Sequence, residues 1–536
     1  MYQAARLNLS GSTIRTAISF YGNRISFDQV FVLIDALAES FSARFHIGKG
    51  DAITLCMPNS PSALLAFYAA NKLGAAVNLV HPYIPPEKLS ESAKKTDSKL
   101  IVVYDAYPHA GEEKPAFGVP VLESDCGWFM GAAARAYYRL TNKKLGWGEK
   151  LEKLLKKKRG PSLPSVNFAP AEPAVYLASG GTTGEPKIIV HNNYTFNLLC
   201  SKAQEFLSEP LENYVSLYNV LPIFHGFGLC INMHMRMIMH ICINMHMCMI
   251  MRRTNIMCIK FDAKRCARQI QKERANILTG VPTMYLKLMG EKTFTGGDLS
   301  SIKDVFVGGD SAPRALIEKF DEVLKRGNSN AHMYEGYGLT ETVTVCLVNT
   351  REHNRPGSIG YPLSDTRVCI VKDGKKLPAG EVGEIYIRTP LFMQGYLGNG
   401  EQPFERLEGE TWLKTGDYGY LDEDGFLYFK QRIKNMIKVS GVPVYPSEIE
   451  SVALLCPKVK KACAVGVSDT VKGQVVKLYV ESADGESLKE EVLSLCRAKL
   501  IAYAVPKFIE VRDRLPVNLI GKIDRKSLEE ENPKNT

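Results

Sequence analysis

Between residues 50 and 360 the chain alternates short apolar runs with longer helical patterns, and this alternation constrains its fold more than any other feature. "DAITLCMPN", "SKLIVVYDA", "RANILTG" and "IKDVFVGGD" have the near-continuous apolar character of strands buried on both faces. "SPSALLAFYAANKLGA" and "SAPRALIEKFDEVLKRG" read instead as helices. Strand and helix in alternation imply an α/β fold with largely parallel sheets. From about residue 360 the pattern shortens to strands and turns, as in "EVGEIYIRTP" and "YLDEDGFLYFKQRIKNMIKVSG", expected to form a β-barrel-like subdomain. After residue 450 helix and strand return. The expected organisation is a large N-terminal domain, 1–430, followed by a small α+β C-terminal domain, 431–536.

Composition narrows the class. Apolar residues make up 45% and charged residues 23%, as in ordinary globular proteins. No stretch has the eighteen or so uncharged apolar residues of a membrane helix, and the N-terminus lacks the features of a secretory signal. Thirteen cysteines at irregular spacing argue against a disulfide framework. The expected compartment is the cytoplasm. The net charge of +10 gathers partly in "EKLEKLLKKKRG", residues 149–160, which reads as a solvated amphipathic helix or linker. A weak contact with an anionic membrane surface is the other use of such a cluster. No nucleic-acid motif accompanies it, so no nucleic-acid partner is expected.

The strongest chemical signal is "YLASGGTTGEPKIIVHNN". Ser179, Gly180, Gly181, Thr182, Thr183, Gly184 and Lys187 follow an apolar strand. They offer backbone N–H groups, hydroxyls and an ammonium to a phosphate chain. No Gly-Lys pair is followed by Ser or Thr, so this is not a Walker A loop. "SGGTTGEPK" closely resembles the phosphate loop of the acyl-adenylate-forming superfamily, which includes acyl-CoA synthetases. "YEGYGLTET" (334–342), "GEVGEIYIRTP" (380–390), "WLKTGDYGYLDEDG" (412–425), "QRIKNMIKVSGVPVYPSEIE" (431–450) and "LPVNLIGKIDRKSL" (515–528) follow in the family's order. The resemblance spans residues 15 to 530 and is greatest to fatty acyl-CoA synthetases.

Attack of a carboxylate on the α-phosphate of ATP brings two anions together, so cations and donors must converge. The resemblance implies that Lys522 bridges the carboxylate and the α-phosphate and that Glu341 serves Mg2+. Tyr337 would lie against adenine beside Gly309 and Asp310. Asp417 would accept from both ribose hydroxyls with help from Arg432. Gly336, Gly338 and Thr340 complete the nucleotide motif. Thr182 and His225 join Lys522, Glu341 and Lys438 as candidate catalytic residues. In the family the small domain is mobile, and its rotation admits a thiol for the second half-reaction. Lys434 falls at the hinge, and Lys438 and Gly441 would face the thiol passage. Gln431 stands where Gly or Asp is usual and Asn518 where Thr is usual.

The implied substrates are a small-molecule carboxylic acid, ATP and coenzyme A. Where amino-acid-activating relatives place an Asp, this chain has His225 or Gly226, which favours an apolar acid, and a fatty acid most of all. Two other readings stand: loading of a carrier-protein thiol, and an inactive nucleotide- or acyl-binding relative. The oligomeric state is open. One further feature is "CINMHMRMIMHI", 230–241, followed at once by "CINMHMCMIMRR", 242–253. It reads as a tandem duplication that lengthens a helix beside the acyl pocket. His234, His240 and His246 are six apart and cannot meet on a helix, so packing is expected there rather than metal.

Overall fold

The computed structural model describes residues 1–3, 16–109, 114–142, 145–155, 166, 171–179, 187–210, 213–235, 254–310, 312–398, 402–517 and 523–532. They form two compact units. The first runs from the N-terminus to Gln402 without residues 367–388, and the second takes Arg367–Arg388 and the described residues from Pro403 onward. The expected boundary at residue 431 falls inside the second unit, within the strand Leu427–Arg432.

Two sheets organise the first unit. In one, Met333–Tyr337, Asp304–Val307, Ile277–Gly280, Ser216–Asn219, Thr254–Met257 and Thr16–Phe20 lie side by side and parallel. In the other, Pro173–Ala178, Ala76–Leu79, Ala52–Cys56, Ser98–Tyr104, Val121–Ser124 and Glu149–Lys150 do the same. The apolar runs of the sequence thus become buried parallel strands, as their composition predicts. The helix Pro61–Leu73 begins where Ser60 accepts from the Ala63 amide and ends at Gly74, whose φ of 84° admits the left-handed cap. All thirteen of its residues are buried, Lys72 paired with Asp35 at 2.8 Å, and it packs against the helix Phe27–Phe45 within the core.

The second unit holds a curled antiparallel sheet from Arg367–Lys372, Gly383–Arg388, Phe404–Leu407, Glu410–Leu421 and Leu427–Arg432. A smaller sheet joins Ile437–Val439, Val442–Val444, Lys461–Asp469, Gly473–Glu481 and Phe508–Arg512. The helices Pro446–Ala453 and Leu488–Lys499 pack on it around Ile449, Val492 and Leu478. Parallel-sheet layers, a curled sheet and a small terminal α+β layer match the expected fold class.

Two expectations change. The basic stretch opens not as a solvated helix but as the strand Glu149–Lys150 and the short buried helix Leu151–Leu154. There Glu152 accepts from Ser62, Ser124 and the Asp125 amide, which ties the turn into the core. Residues 156–160 lie outside the described residues. The Met-rich repeat opens as a π-helix, Phe227–His234, rather than an α-helix. The Met235 amide bonds to the Cys230 carbonyl five residues back, and an irregular helix of this kind is common beside functional sites. Residues 236–253 lie outside the described residues. Among the described residues no helix is long and apolar enough to cross a membrane.

Candidate active site

At the carboxyl ends of the parallel strands Asp304–Val307 and Met333–Tyr337 the chain turns sharply twice. Such ends are where open α/β sheets take ligands. Val307 lies opposite Glu335, so Gly308–Asp310 and Gly336–Gly338 leave the sheet side by side. A Cβ on Gly308 would come within 3.1 Å of the Gly336 carbonyl, and one on Gly338 within 1.5 Å of the Thr344 carbonyl. Glycine is needed for that approach. Gly309 has a φ of 76°, and Asp310 beyond it is exposed. Burial pushes the Glu335 carboxyl up to about 7, against the hydrogen bond it accepts from the Ala312 amide.

Thr340–Thr342 forms a single 3₁₀ turn carrying Glu341. Val343 follows with a φ of 68°, a conformation that a β-branched residue adopts only under tight packing, and it is fully buried. The Gly226 Cα lies so near that an added Cβ would sit 1.7 Å from the Val343 carbonyl. The His225 segment is therefore pressed against the loop that follows Glu341. His225 lies two residues before the π-helix: its amide donates to the Pro222 carbonyl and its carbonyl accepts from the Leu229 amide.

Three contacts fix the Glu341 turn from the other sheet. His191, on the strand Ile188–Asn192, donates from Nε2 to the Thr340 carbonyl at 2.6 Å. Thr195 lies 3.4 Å from its Nδ1, and complete burial lowers the imidazole to about 4, so it is neutral. The Met393 amide donates to the Glu341 carbonyl at 2.8 Å, and the Tyr396 hydroxyl donates to Glu341 Oε1 at 2.9 Å. Burial, and then the adjoining carboxylate, hold the Tyr396 phenol well above its ordinary range. Lys187 Nζ sits 4.4 Å from the centre of the same ring. The Ser179 amide donates to the Lys187 carbonyl at 2.8 Å, and the Lys187 amide donates to Ser179 Oγ at 3.0 Å, which closes the two ends of the glycine loop. Gly180, Gly181, Thr182, Thr183 and Gly184 lie outside the described residues.

In the second unit Asp417 is buried opposite Arg432 on the neighbouring strand, with Oδ1 3.3 Å from Arg432 Nε. Gln431 beside it is buried with neither amide atom hydrogen-bonded among the described residues, a costly arrangement. Lys438 is exposed, and its amide donates to Gln474 Oε1 at 2.9 Å. Ser440 and Gly441 link paired residues Val439 and Val442 with φ of 50° and 79°, a two-residue hairpin turn that needs a positive φ twice. Lys434 lies in the turn Ile433–Asn435, its side chain outside the description, and Lys522 is outside the described residues.

Comparison with known proteins now bears on this arrangement. The AMP-binding enzyme family matches residues 10–397, and the AMP-binding enzyme C-terminal domain matches residues 448–522. The chain belongs to the AMP-binding enzyme family. This AMP-binding enzyme is 30% identical to a long-chain-fatty-acid–CoA ligase of Bacillus subtilis (strain 168) over 97% of its own length and 92% of the relative's. A long-chain-fatty-acid–CoA ligase of Yersinia pestis is also 30% identical, over 94% and 90%. Among solved structures, an o-succinylbenzoate CoA synthetase from Bacillus subtilis with its acyl-adenylate intermediate has a TM-score of 0.79 at 24% identity, covering 98% and 96%. An anthranilate CoA ligase with anthranoyl-AMP has a TM-score of 0.81 at 21% identity, covering 99% and 96%. The same o-succinylbenzoate enzyme has also been solved with ATP and a magnesium ion, at a TM-score of 0.76.

Within the first unit of the AMP-binding enzyme, then, Ser179, Lys187, Gly309, Gly336, Tyr337, Gly338, Thr340, Glu341 and the His225 segment are joined through two sheet ends. Asp417 and Arg432 pair in the second. Sequence reasoning missed His191 and Tyr396. Both follow recognisable motifs by only a few residues, yet each reads as an ordinary strand residue. Cys230 and His234 of the first repeat copy are structural, and His240 lies outside the described residues. His234 is fully buried, with Nδ1 2.9 Å from the Tyr68 hydroxyl and Nε2 donating to Asn197 at 2.9 Å, while Cys230 Sγ is 3.8 Å from Cys200 Sγ. Among the described residues no three His, Cys, Asp or Glu side chains are placed to hold a metal.

Proposed function

We propose that this enzyme activates a carboxylic acid of the fatty-acid class with ATP, forming an acyl-adenylate and pyrophosphate. It then passes the acyl group to the thiol of CoA, releasing AMP. The observation that carries the proposal is the match to long-chain-fatty-acid–CoA ligases over nearly the whole of both chains, with the phosphate-loop ends, Glu341 and Tyr337 brought together through two sheet ends. Ser179, Lys187 and the loop between them would take the β- and γ-phosphates. Tyr337, Gly309 and Asp310 would hold adenine, and Asp417 with Arg432 the ribose. Lys522 would neutralise the converging carboxylate and α-phosphate, the charge problem that sets the barrier.

Magnesium fits here as a nucleotide-borne ion: Glu341 supplies one hard carboxylate group, already oriented by Tyr396, and phosphates supply other oxygens. When bound, the ion would neutralise phosphate charge. Gly226, at the position where amino-acid-activating relatives place an Asp, packs against Val343 beside Glu341 and brings no carboxylate for a substrate amine, which supports an apolar acid. Rotation of the terminal domain about Lys434 would bring Lys438 and Gly441 to the thiol passage. The test is pyrophosphate release from ATP across saturated, unsaturated and aromatic acids, with and without CoA. Release with fatty acids, and acyl-CoA formation only when CoA is present, is expected. No release with any acid would overturn the proposal.

A further inference from the structure

Tyr396 touches both charged side chains that the proposed reaction directs at the triphosphate. Its hydroxyl donates to Glu341 Oε1 at 2.9 Å, and its ring carries the Lys187 ammonium 4.4 Å from the centroid. Neither contact is a chance of side-chain packing, because the backbone beneath Tyr396 is fixed on every side. Gly395 and Tyr396 pair antiparallel with Val190 and Ile189. The Gln394 and Leu397 amides donate to the Val190 and Ile188 carbonyls, each at 2.8 Å, and the Tyr396 amide donates to Gln402 Oε1 at 2.8 Å. Three residues before Tyr396, the Met393 amide holds the Glu341 carbonyl. This short edge strand joins the strand that follows the phosphate loop to the turn that carries Glu341.

The two contacts also strengthen each other. A phenol whose proton is drawn toward a carboxylate carries more electron density in its ring, and the attraction of a cation to the ring face grows with that density. Without nucleotide, a lysine and a glutamate this close to a common site would tend to pair directly, which would leave both misdirected for phosphate and metal. With Tyr396 between them, each has a partner that fixes its direction.

We infer that Tyr396 is a positioning residue with two separable parts, a hydroxyl that presents Glu341 to the nucleotide-borne magnesium and a ring that presents Lys187 to the phosphates. This rests on the proposed reading of the site as an ATP site. The test is calorimetric binding of ATP to the full chain, with magnesium and with EDTA, for the parent, Tyr396→Phe and Tyr396→Leu. For Tyr396→Phe, which keeps the ring and the packing, affinity with magnesium should fall about fivefold, while affinity in EDTA stays within about twofold of the parent. Tyr396→Leu should lose affinity in both conditions. Thermal unfolding of Tyr396→Phe close to the parent's shows that the fold is kept, and this arm decides the matter even where Tyr396→Leu fails to fold. Equal losses for Tyr396→Phe with and without metal, or no loss in either, overturn the inference. A parent that binds ATP in neither condition overturns the ATP-site reading itself.

Discussion

His191 shows how one buried side chain can set the acid limit of the protein. Its imidazole, ordinarily near 6.5, is held at about 4 by burial, so the folded chain keeps it neutral where the unfolded chain would protonate it. For a basic group with a lowered folded value, the unfolded state binds the extra proton. The stability contribution is therefore complete above pH 6.5 and is lost as pH falls toward 4, at about 1.4 kcal/mol per pH unit. His191→Gln keeps a donor for the Thr340 carbonyl and removes the titration. Urea unfolding at pH 7 and pH 5 should show a loss of stability about 2 kcal/mol smaller in the variant than in the parent. Equal losses would mean that His191 is protonated in the folded state. Nothing in "IIVHNN" distinguishes this histidine from one at a surface, since its burial comes from packing against Phe196 and the Thr340 turn. The glycine- and threonine-rich loop, in contrast, stands out in the sequence because so many donors with so few side chains together suit a phosphate chain, although residues 180–186 lie outside the described residues.

At the scale of elements, close approach separates glycines that look alike in sequence. Gly441 stands in open space and needs only its φ of 79°, so Gly441→Ala should cost about 1 kcal/mol and leave adenylate formation nearly intact. Gly226→Ala would place a methyl group 1.7 Å from the Val343 carbonyl and must push away the loop that follows Glu341. Pyrophosphate release should fall at least tenfold there, with a lowered unfolding midpoint; wild-type kinetics would show that the loop yields without effect. The parallel strands were legible because strands buried on both faces are apolar throughout. The π-helix was not, because hydrogen bonds reaching five residues back leave no mark on composition. The repeat supplies a further test. Deleting 230–241 or 242–253 leaves the same six residues, CINMHM, after Leu229, so either deletion can rebuild the contacts of Cys230 and His234 with Cys200, Tyr68 and Asn197. Both deletions should unfold within a few degrees of the parent and differ from it in acid preference. Stoichiometric copper or zinc in the parent, lost in both deletions, would restore a metal role.

For the molecule as a whole, the two half-reactions place different demands on the chain. Lys522→Ala should reduce adenylate formation by several orders of magnitude, yet leave thioester formation from supplied acyl-adenylate within a few-fold of the parent. Equal loss of both steps would count against a lysine that serves only the first. The order of five motifs made the family legible over the full chain. The acid did not become legible, because an apolar acid calls for no charged mark in the sequence, and the solved structures of this fold include o-succinylbenzoate and anthranilate CoA ligases while the sequence relatives are named long-chain-fatty-acid–CoA ligases.

Eleven cysteines among the described residues are all buried and none forms a disulfide. The surface that these residues present is therefore blank to thiol-reactive dyes. A single cysteine placed at Leu140, 86% exposed in the first unit, and another at Val471, 88% exposed in the second, would each offer a dye an accessible thiol. Uptake of the same reagent by the unaltered chain would report on Cys242 and Cys248, the pair contributed by the second repeat copy. With those two replaced by serine, a donor and acceptor at 140 and 471 would follow the enzyme through its catalytic cycle by energy transfer, one molecule at a time.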